Sequence, residues 1–297
     1  MEANGTASRE MRLGIVMVAI SALVWSFGGT IARFIVAPDV WTIVFWRSAS
    51  GAVYLIGYML WRHGRAGTVA LFRAMGWPGF GVGLCFATGS ASFVIALAHT
   101  SVADILFLQA GVPLMAALMA FVLFGERVSL ATGLAIAAVI FGVGIMVSES
   151  LSGRVSPIGD GLALLIAVTF AIATVITRRF AHVAMLPAVC LGTVIAASLA
   201  AIMATTLAVT RADFGLLIAF GAFNLGFGLS MFAMGARLIP AALAALIGTI
   251  EPILAPIWVW LVHNEIPSLR TMIGGSVVFL ALVAHLAMEF RRSRRAT

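Results

Sequence analysis

Residues 241–263 read AALAALIGTIEPILAPIWVWLVH. A run this long and apolar can cross a bilayer, because a helix rising about 1.5 Å per residue covers a ~30 Å hydrocarbon core in ~20 residues. Yet a carboxylate, Glu251, and two prolines, Pro252 and Pro256, stand near its middle. A proline removes a backbone donor and frees a carbonyl one turn back. An ionisable group at the centre of a span costs roughly 2.5–3.5 kcal/mol by insertion scales. Such costs are tolerated where the segment faces protein or a wet cavity instead of lipid. The stretch therefore reads as a bent, cavity-lining helix with its acid beside the bend. Three roles are open to Glu251: contact with a substrate ammonium group, carriage of a coupling proton, or a structural pair with another helix, for instance through Arg47.

The rest of the chain is of the same kind. Its 297 residues are 62% hydrophobic and 10% charged, where a soluble domain is nearer a quarter charged. Apolar runs bounded by Arg, Gly or Pro give ten candidate helices, roughly 13–33, 40–61, 78–98, 102–124, 129–148, 158–177, 186–208, 214–236, 239–262 and 268–289. The first is too long for the apolar part of a signal peptide and is expected to be retained. The reading is an all-α polytopic membrane protein whose connections leave no room for a soluble domain.

Charge sets the expected orientation. All 18 basic residues are arginines. Arg33, Arg154, Arg211 and Arg270 fall on one side of the ten-helix scheme, Arg47 falls inside the second span, and all the others fall on the side of the termini. That bias predicts both termini in the cytoplasm of a bacterial inner membrane. Arginines scattered through short gaps do not build a phosphate-binding face, so no nucleic-acid partner is expected despite the net charge of +7. Cys85 and Cys190 lie far apart within apolar runs and suggest neither a metal site nor a disulfide.

The chain also repeats itself. Shifted by 139 residues, Gly89 falls on Gly228, Pro113 on Pro252, Glu126 on Glu265 and Thr132 on Thr271. Each copy, 1–155 and 156–297, then holds five spans, and an odd number turns the second copy upside down. Inverted repeats meeting at the midplane are a construction of secondary transporters, since two such copies give two nearly equivalent states, one open to each side.

The fourth span of each half, FLQAGVPLMAALMAFVLFGE (107–126) and LIGTIEPILAPIWVWLVHNE (246–265), resembles the signature of the EamA-type drug/metabolite transporter superfamily, as do LVWSFGGTIARF (23–34) and FWRSASG (45–51). The second copy departs from it in carrying Asn264-Glu265 where the pattern often has Gly-Glu. The resemblance implies ten helices around a central cavity, export of small metabolites, and no ATP. Within the superfamily the chain looks closest to bacterial exporters of amino acids, including aromatic ones.

Polar groups at the depth of Glu251 are the candidate substrate contacts: Trp25, Ser21, Ser90, Gln109, Thr169, Asn224 and Thr249, with Glu251 itself. Gln109 and Asn224 lead, because an amide both donates and accepts. Thr174 shares their depth. Pro113, Pro252 and Pro256 are expected as bends or hinges. Glu265 reads as structural, accepting hydrogen bonds from the start of the next span, and His263 as solvated. No HExxH, GxSxG or paired intramembrane aspartates occur, so no catalytic residue, metal or cofactor is expected. One acid, two amides, hydroxyls and aromatic surface suit a small zwitterion or an amphipathic cation. The expected function is therefore export of amino acids, foremost aromatic or hydrophobic ones, by a protein that works as a monomer in the lipid bilayer. A proton-coupled multidrug exporter using Glu251 as its proton carrier is the alternative.

Overall fold

With no water to solvate an unpaired N–H or C=O, a segment inside a membrane must satisfy its backbone internally, and a helix does so. The computed structural model of the protein describes residues 2–37, 39–125, 129–151, 157–180 and 184–296, and among these every regular element is helical. Glu126, Arg127 and Arg154 lie outside the described residues. In chain order the first crossing is α1 (Glu2–Ser26) and α2 (Gly28–Phe34), followed by α3 (Val40–Leu97). Next come α4 (Val102–Ala110) and α5 (Val112–Phe124), which together make one crossing bent by 42°. The chain continues with α6 (Leu130–Leu151), α7 (Pro157–Arg179) and α8 (Met185–Met203). A π-helical stretch, Ala219–Phe227, joins α9 (Arg211–Ile218) to α10 (Gly228–Gly235). The last elements are α11 (Ala241–Gly248), α12 (Ile250–His263) and α13 (Leu269–Ala296).

Eight helices among the described residues are long and apolar enough to cross a membrane, or nine with the bent pair taken as one span. One of these, α3, has 58 residues, about twice what a bilayer needs. It breaks at Gly64 (φ 67°) and Gly76 (φ 51°), left-handed conformations that glycine adopts without cost. The two limbs, 40–63 and 77–97, run antiparallel. Val44 shares a core cluster with Ala91 and Val94, Arg47 donates from Nη1 to Ser90 Oγ at 2.6 Å, and Leu55 shares a cluster with Phe86. Each limb is long enough to cover a ~30 Å hydrocarbon core on its own.

Between the limbs, residues 65–75 form a short helix where the sequence reading had only a connection. Thr68, Leu71, Phe72 and Met75 turn towards the bundle at helical spacing, and Arg65, Val69 and Arg73 face outward. Trp61 and Trp77, 80% and 83% exposed, flank it. This is the pattern of a helix lying at a membrane surface.

The two halves are inverted. Arg33, at the end of the first crossing, donates to the carbonyls of Leu97 and Thr100, and a side chain at Gly159, near the start of α7, would meet Thr100 and His99. The first span of the second half thus begins on the face where the first span of the first half ends. Below, the face where α1 begins is the terminal face, and the other is the far face.

The seventh span is shorter than the expected 186–208: α8 stops at Met203, and 204–210 run without regular structure across the far face. Groups of the first half satisfy this segment's backbone. Thr42 Oγ1 donates to Thr206 O at 2.7 Å, Trp46 Nε1 donates to Leu207 O at 3.0 Å, and the Asp39 carboxylate accepts from Thr205 N at 3.1 Å and Thr205 Oγ1 at 2.6 Å. Asp39 also caps α3 by accepting from Thr42 N at 2.9 Å. Burial alone would raise the Asp39 pKa, but the bonds from Thr205 and Thr42 outweigh it and lower the pKa to about 2. Its unfolded value is ~4. A carboxyl depressed on folding stabilises fully above the unfolded value and loses that contribution as pH falls through the folded one. The melting temperature in detergent is therefore expected to fall more steeply between pH 4 and 2 for the unmutated protein than for Asp39→Asn. Equal slopes across that window would show that the carboxylate is not held in this way.

Candidate functional site

Each half bends its fourth span where a proline stands. Pro113 cannot donate to the carbonyl of Gln109, and α4 and α5 part at Gly111 with the 42° bend. Pro252 stands one turn after the break at Thr249 that separates α11 from α12, and Pro256 lies inside α12. Beside these breaks the helices enclose a cavity of about 420 Å³, within the range of small-molecule sites. Its polar groups are Arg47, Ser90, Gln109, Thr174, Asn224 and Glu251, and its apolar wall includes Trp25, Phe86, Phe93, Phe170 and Phe232. Two other hollows, one beside Arg178 and Arg179 and one beside Arg65 and Arg73, lie at helix ends on the terminal face, away from these groups.

The placement of the cavity residues shows which way it reaches. Arg47, Gly28, Asn224 and Glu251 stand in the interior of their spans. Met185 is the first residue of α8, Phe232 lies near the end of α10, and Thr174 lies in the last third of α7, all towards the terminal face. At the far end the two halves are tied together. Glu265 Oε2 accepts from Arg33 Nε at 2.8 Å, its Oε1 accepts from Val102 N at 2.8 Å, and Asp104 accepts from Thr271 Oγ1 at 2.5 Å. Glu265 therefore serves not the next span, as expected, but the start of α4 in the other half. His263, expected to be solvated, lies edge-on against Phe34 at 4.5 Å with its Nε2 3.1 Å from Thr30 O.

Individual side chains divide by what they already touch. Asn224 sits in the π-helical stretch, where widened turns often accompany functional positions. Its Nδ2 donates to Val24 O at 2.6 Å and Trp25 O at 3.3 Å, carbonyls next to the break between α1 and α2, while its Oδ1 has no hydrogen bond among the described residues. Trp25 lies 5.5 Å from Phe232 and forms one wall. Gln109 and Glu251 have no hydrogen bond or ion pair among the described residues. In particular, Glu251 does not pair with Arg47, the structural role held open for it: the two form no ion pair within 4.0 Å.

Of the residues singled out in the sequence, Trp25, Ser90, Gln109, Asn224, Glu251 and Pro113 line this cavity. Ser21, Thr169 and Thr249 do not. Ser21 Oγ donates to Val18 O at 2.8 Å, Thr169 Oγ1 to Leu165 O at 2.8 Å, and Thr249 Oγ1 to Leu246 O at 2.6 Å. Each hydroxyl is turned onto its own helix, which satisfies it without a partner elsewhere. Trp258 is likewise internal: it stacks on Phe27 at 5.3 Å and donates to Ser26 Oγ at 3.0 Å. Arg47 and the four phenylalanines of the wall are not among the substrate contacts expected from the sequence.

A two-copy architecture is also what comparison with known proteins returns. The profile of the EamA-like transporter family matches residues 12–148 and, a second time, residues 157–286. The chain belongs to the EamA-like transporter family. It is thus a multi-pass membrane protein of a family that moves small molecules, and the two matches correspond to the two halves of the fold. Among solved structures it resembles a chain described only as a crystal structure of a protein, at 21% identity and a TM-score of 0.64, covering 92% of this chain and 98% of that one. That likeness concerns the fold alone. No curated protein matches the sequence.

Proposed function

We propose that this EamA-family protein exports small amino acids, foremost aromatic or hydrophobic ones, from the cytoplasm across a bacterial inner membrane by alternating access. On this reading the terminal face is cytoplasmic, each half is one repeat, and Pro113, Pro252 and Pro256 are hinges. The observation that carries it is the cavity, where one carboxylate and amide oxygens free to accept face a wall of tryptophan and phenylalanine halfway across the bundle. A zwitterion with an apolar side chain matches both parts: its ammonium group suits Glu251 and its side chain suits the aromatic wall. A sugar phosphate would find one arginine and a nearby acid. The cavity reaching towards the terminal face, with the far end latched, fits the loading state of an exporter.

The test is uptake into proteoliposomes of purified protein across a panel of amino acids, organic cations and sugars. Movement of phenylalanine and related amino acids supports the proposal. Movement of organic cations with no amino acid replaces it with the multidrug alternative. If Glu251 also carries a coupling proton, Glu251→Gln is expected to abolish the response of transport to a pH gradient, leaving whatever rate remains the same with and without one. Equal rates with and without a gradient in the unmutated protein would dismiss proton coupling.

A further inference from the structure

Arg47 is the charged group of the cavity that the reading above leaves unused. It is buried in the first limb of α3, with 8% of its surface exposed, and lines the cavity wall. A guanidinium has five N–H donors in a planar fork. Here Nη1 makes one hydrogen bond, to Ser90 Oγ at 2.6 Å, and Nε has none among the described residues. Among the described residues no carboxylate lies within 4.0 Å of it, although Glu251 lines the same cavity. The group is nevertheless held in place. Its carbon centre stands 4.4 Å from the centre of the Phe220 ring and 5.6 Å from that of Phe93, and Ser90 tethers one nitrogen. The backbone beneath it is pinned too, because a side chain at Gly221 would run into Arg47 O and Ser50 Oγ.

A cation fixed inside a membrane bundle without a counter-charge is costly, and such groups find an anion or carbonyl partner. We infer that Arg47 is the carboxylate receptor of the central cavity, and that the transported molecules are monocarboxylates carrying an apolar side chain. This deepens the proposed function and rests on that reading for the ammonium partner of Glu251. The guanidinium fork presents two parallel donors to a carboxylate, a geometry that an ammonium cannot match. A phosphate dianion would bring a second negative charge towards Glu251 with no further cation in the cavity to offset it. A zwitterion leaves the occupied cavity charge-balanced, with its carboxylate on Arg47 and its ammonium group towards Glu251.

The test uses three ligands that differ by one group: phenylalanine, 3-phenylpropionate (no ammonium) and 2-phenylethylamine (no carboxylate). Binding to the purified full-length protein is measured by calorimetry. The unmutated protein is expected to bind both carboxylates and to bind the amine on the order of 100-fold more weakly, the worth of a charge-assisted bidentate contact. Arg47→Gln should lose both carboxylates, whereas Arg47→Lys, which keeps the charge but not the fork, should retain part of the affinity. Should either variant fail to fold, the ligand series on the unmutated protein still decides. The inference is overturned if the amine binds as tightly as phenylalanine, or if folded Arg47→Gln binds phenylalanine undiminished; in the latter case the amino-acid reading survives. Arg47-dependent binding of 3-phenylpropionate without phenylalanine would uphold the inference and sink the amino-acid reading. Binding of none of the three overturns both.

Discussion

Gly274→Leu is expected to lower the melting temperature in detergent by roughly 6–12 °C, from at least ~3 kcal/mol of overpacking in a chain of this size. The reason is a backbone crossing between the last spans of the two halves. A Cβ at Gly142 would lie 2.6 Å from the Gly274 carbonyl oxygen, and a Cβ at Gly274 would press on the Gly142 carbonyl and lie 2.7 Å from Met146 Cγ. Rotation of a side chain can relieve the second contact with Met146, but nothing relieves a clash with a carbonyl except separation of α6 from α13. Small residues at such crossings let membrane helices approach, and that close packing is what holds them together where lipid is as apolar as the protein. Gly144→Leu is the control. It stands two residues along the same helix as Gly142, and an added Cβ meets nothing within 4 Å. Comparable losses in Gly144→Leu and Gly274→Leu would mean that leucine simply disfavours these helices and that the crossing is not what matters.

Glu265→Ala should have the largest effect on conformation. Within the proposed cycle the far face must open to release substrate, and in this structure Glu265 holds it shut by accepting from Arg33 and from the Val102 N–H. The ion pair alone is modest, being partly exposed. The backbone donor at the start of α4 adds to it, because without Glu265 that N–H loses its cap. Losing both is expected to shift the balance between the two faces on the order of tenfold. A cysteine at Val112, on the cavity wall, reports this shift in a background with Cys85 and Cys190 replaced by alanine. An impermeant maleimide added outside intact cells should label it about tenfold faster once Glu265 is removed. Unchanged labelling, with the variant still folded, would show that another contact keeps the far face closed.

How much of this could be seen in the sequence depends on depth and direction. Depth was legible: Trp25, Gln109, Asn224 and Glu251 were singled out because they sit mid-span, and all four line the cavity. Direction around the helix was not. In a bilayer both the lipid face and the packed face are apolar, so hydropathy leaves no polar stripe to orient a span. Ser21, Thr169 and Thr249 look as suitable as Ser90 in the sequence, yet they stand outside the cavity wall. The fold was more legible than the site, because the 139-residue shift and the mid-span prolines are properties of the chain. The π-helical stretch was invisible, since AFGAFNLGF carries no composition that separates it from an ordinary apolar helix. The short helix 65–75 was missed because it is too short to cross a bilayer and its two arginines read as a loop.

That short helix has a mechanical consequence. At the far face the limbs of α3 are close enough for Arg47 to bond Ser90. At the terminal face the strut between Gly64 and Gly76 is about 16 Å long, against about 8–10 Å between the axes of helices in contact. The hairpin is therefore a wedge propped open at one end, and α8 fills the gap, with Val189 and Cys190 packed in the same cluster as Leu55 and Met59. The spacing at that mouth is set covalently, by the number of residues counted out between two glycines, and not by how well side chains fit.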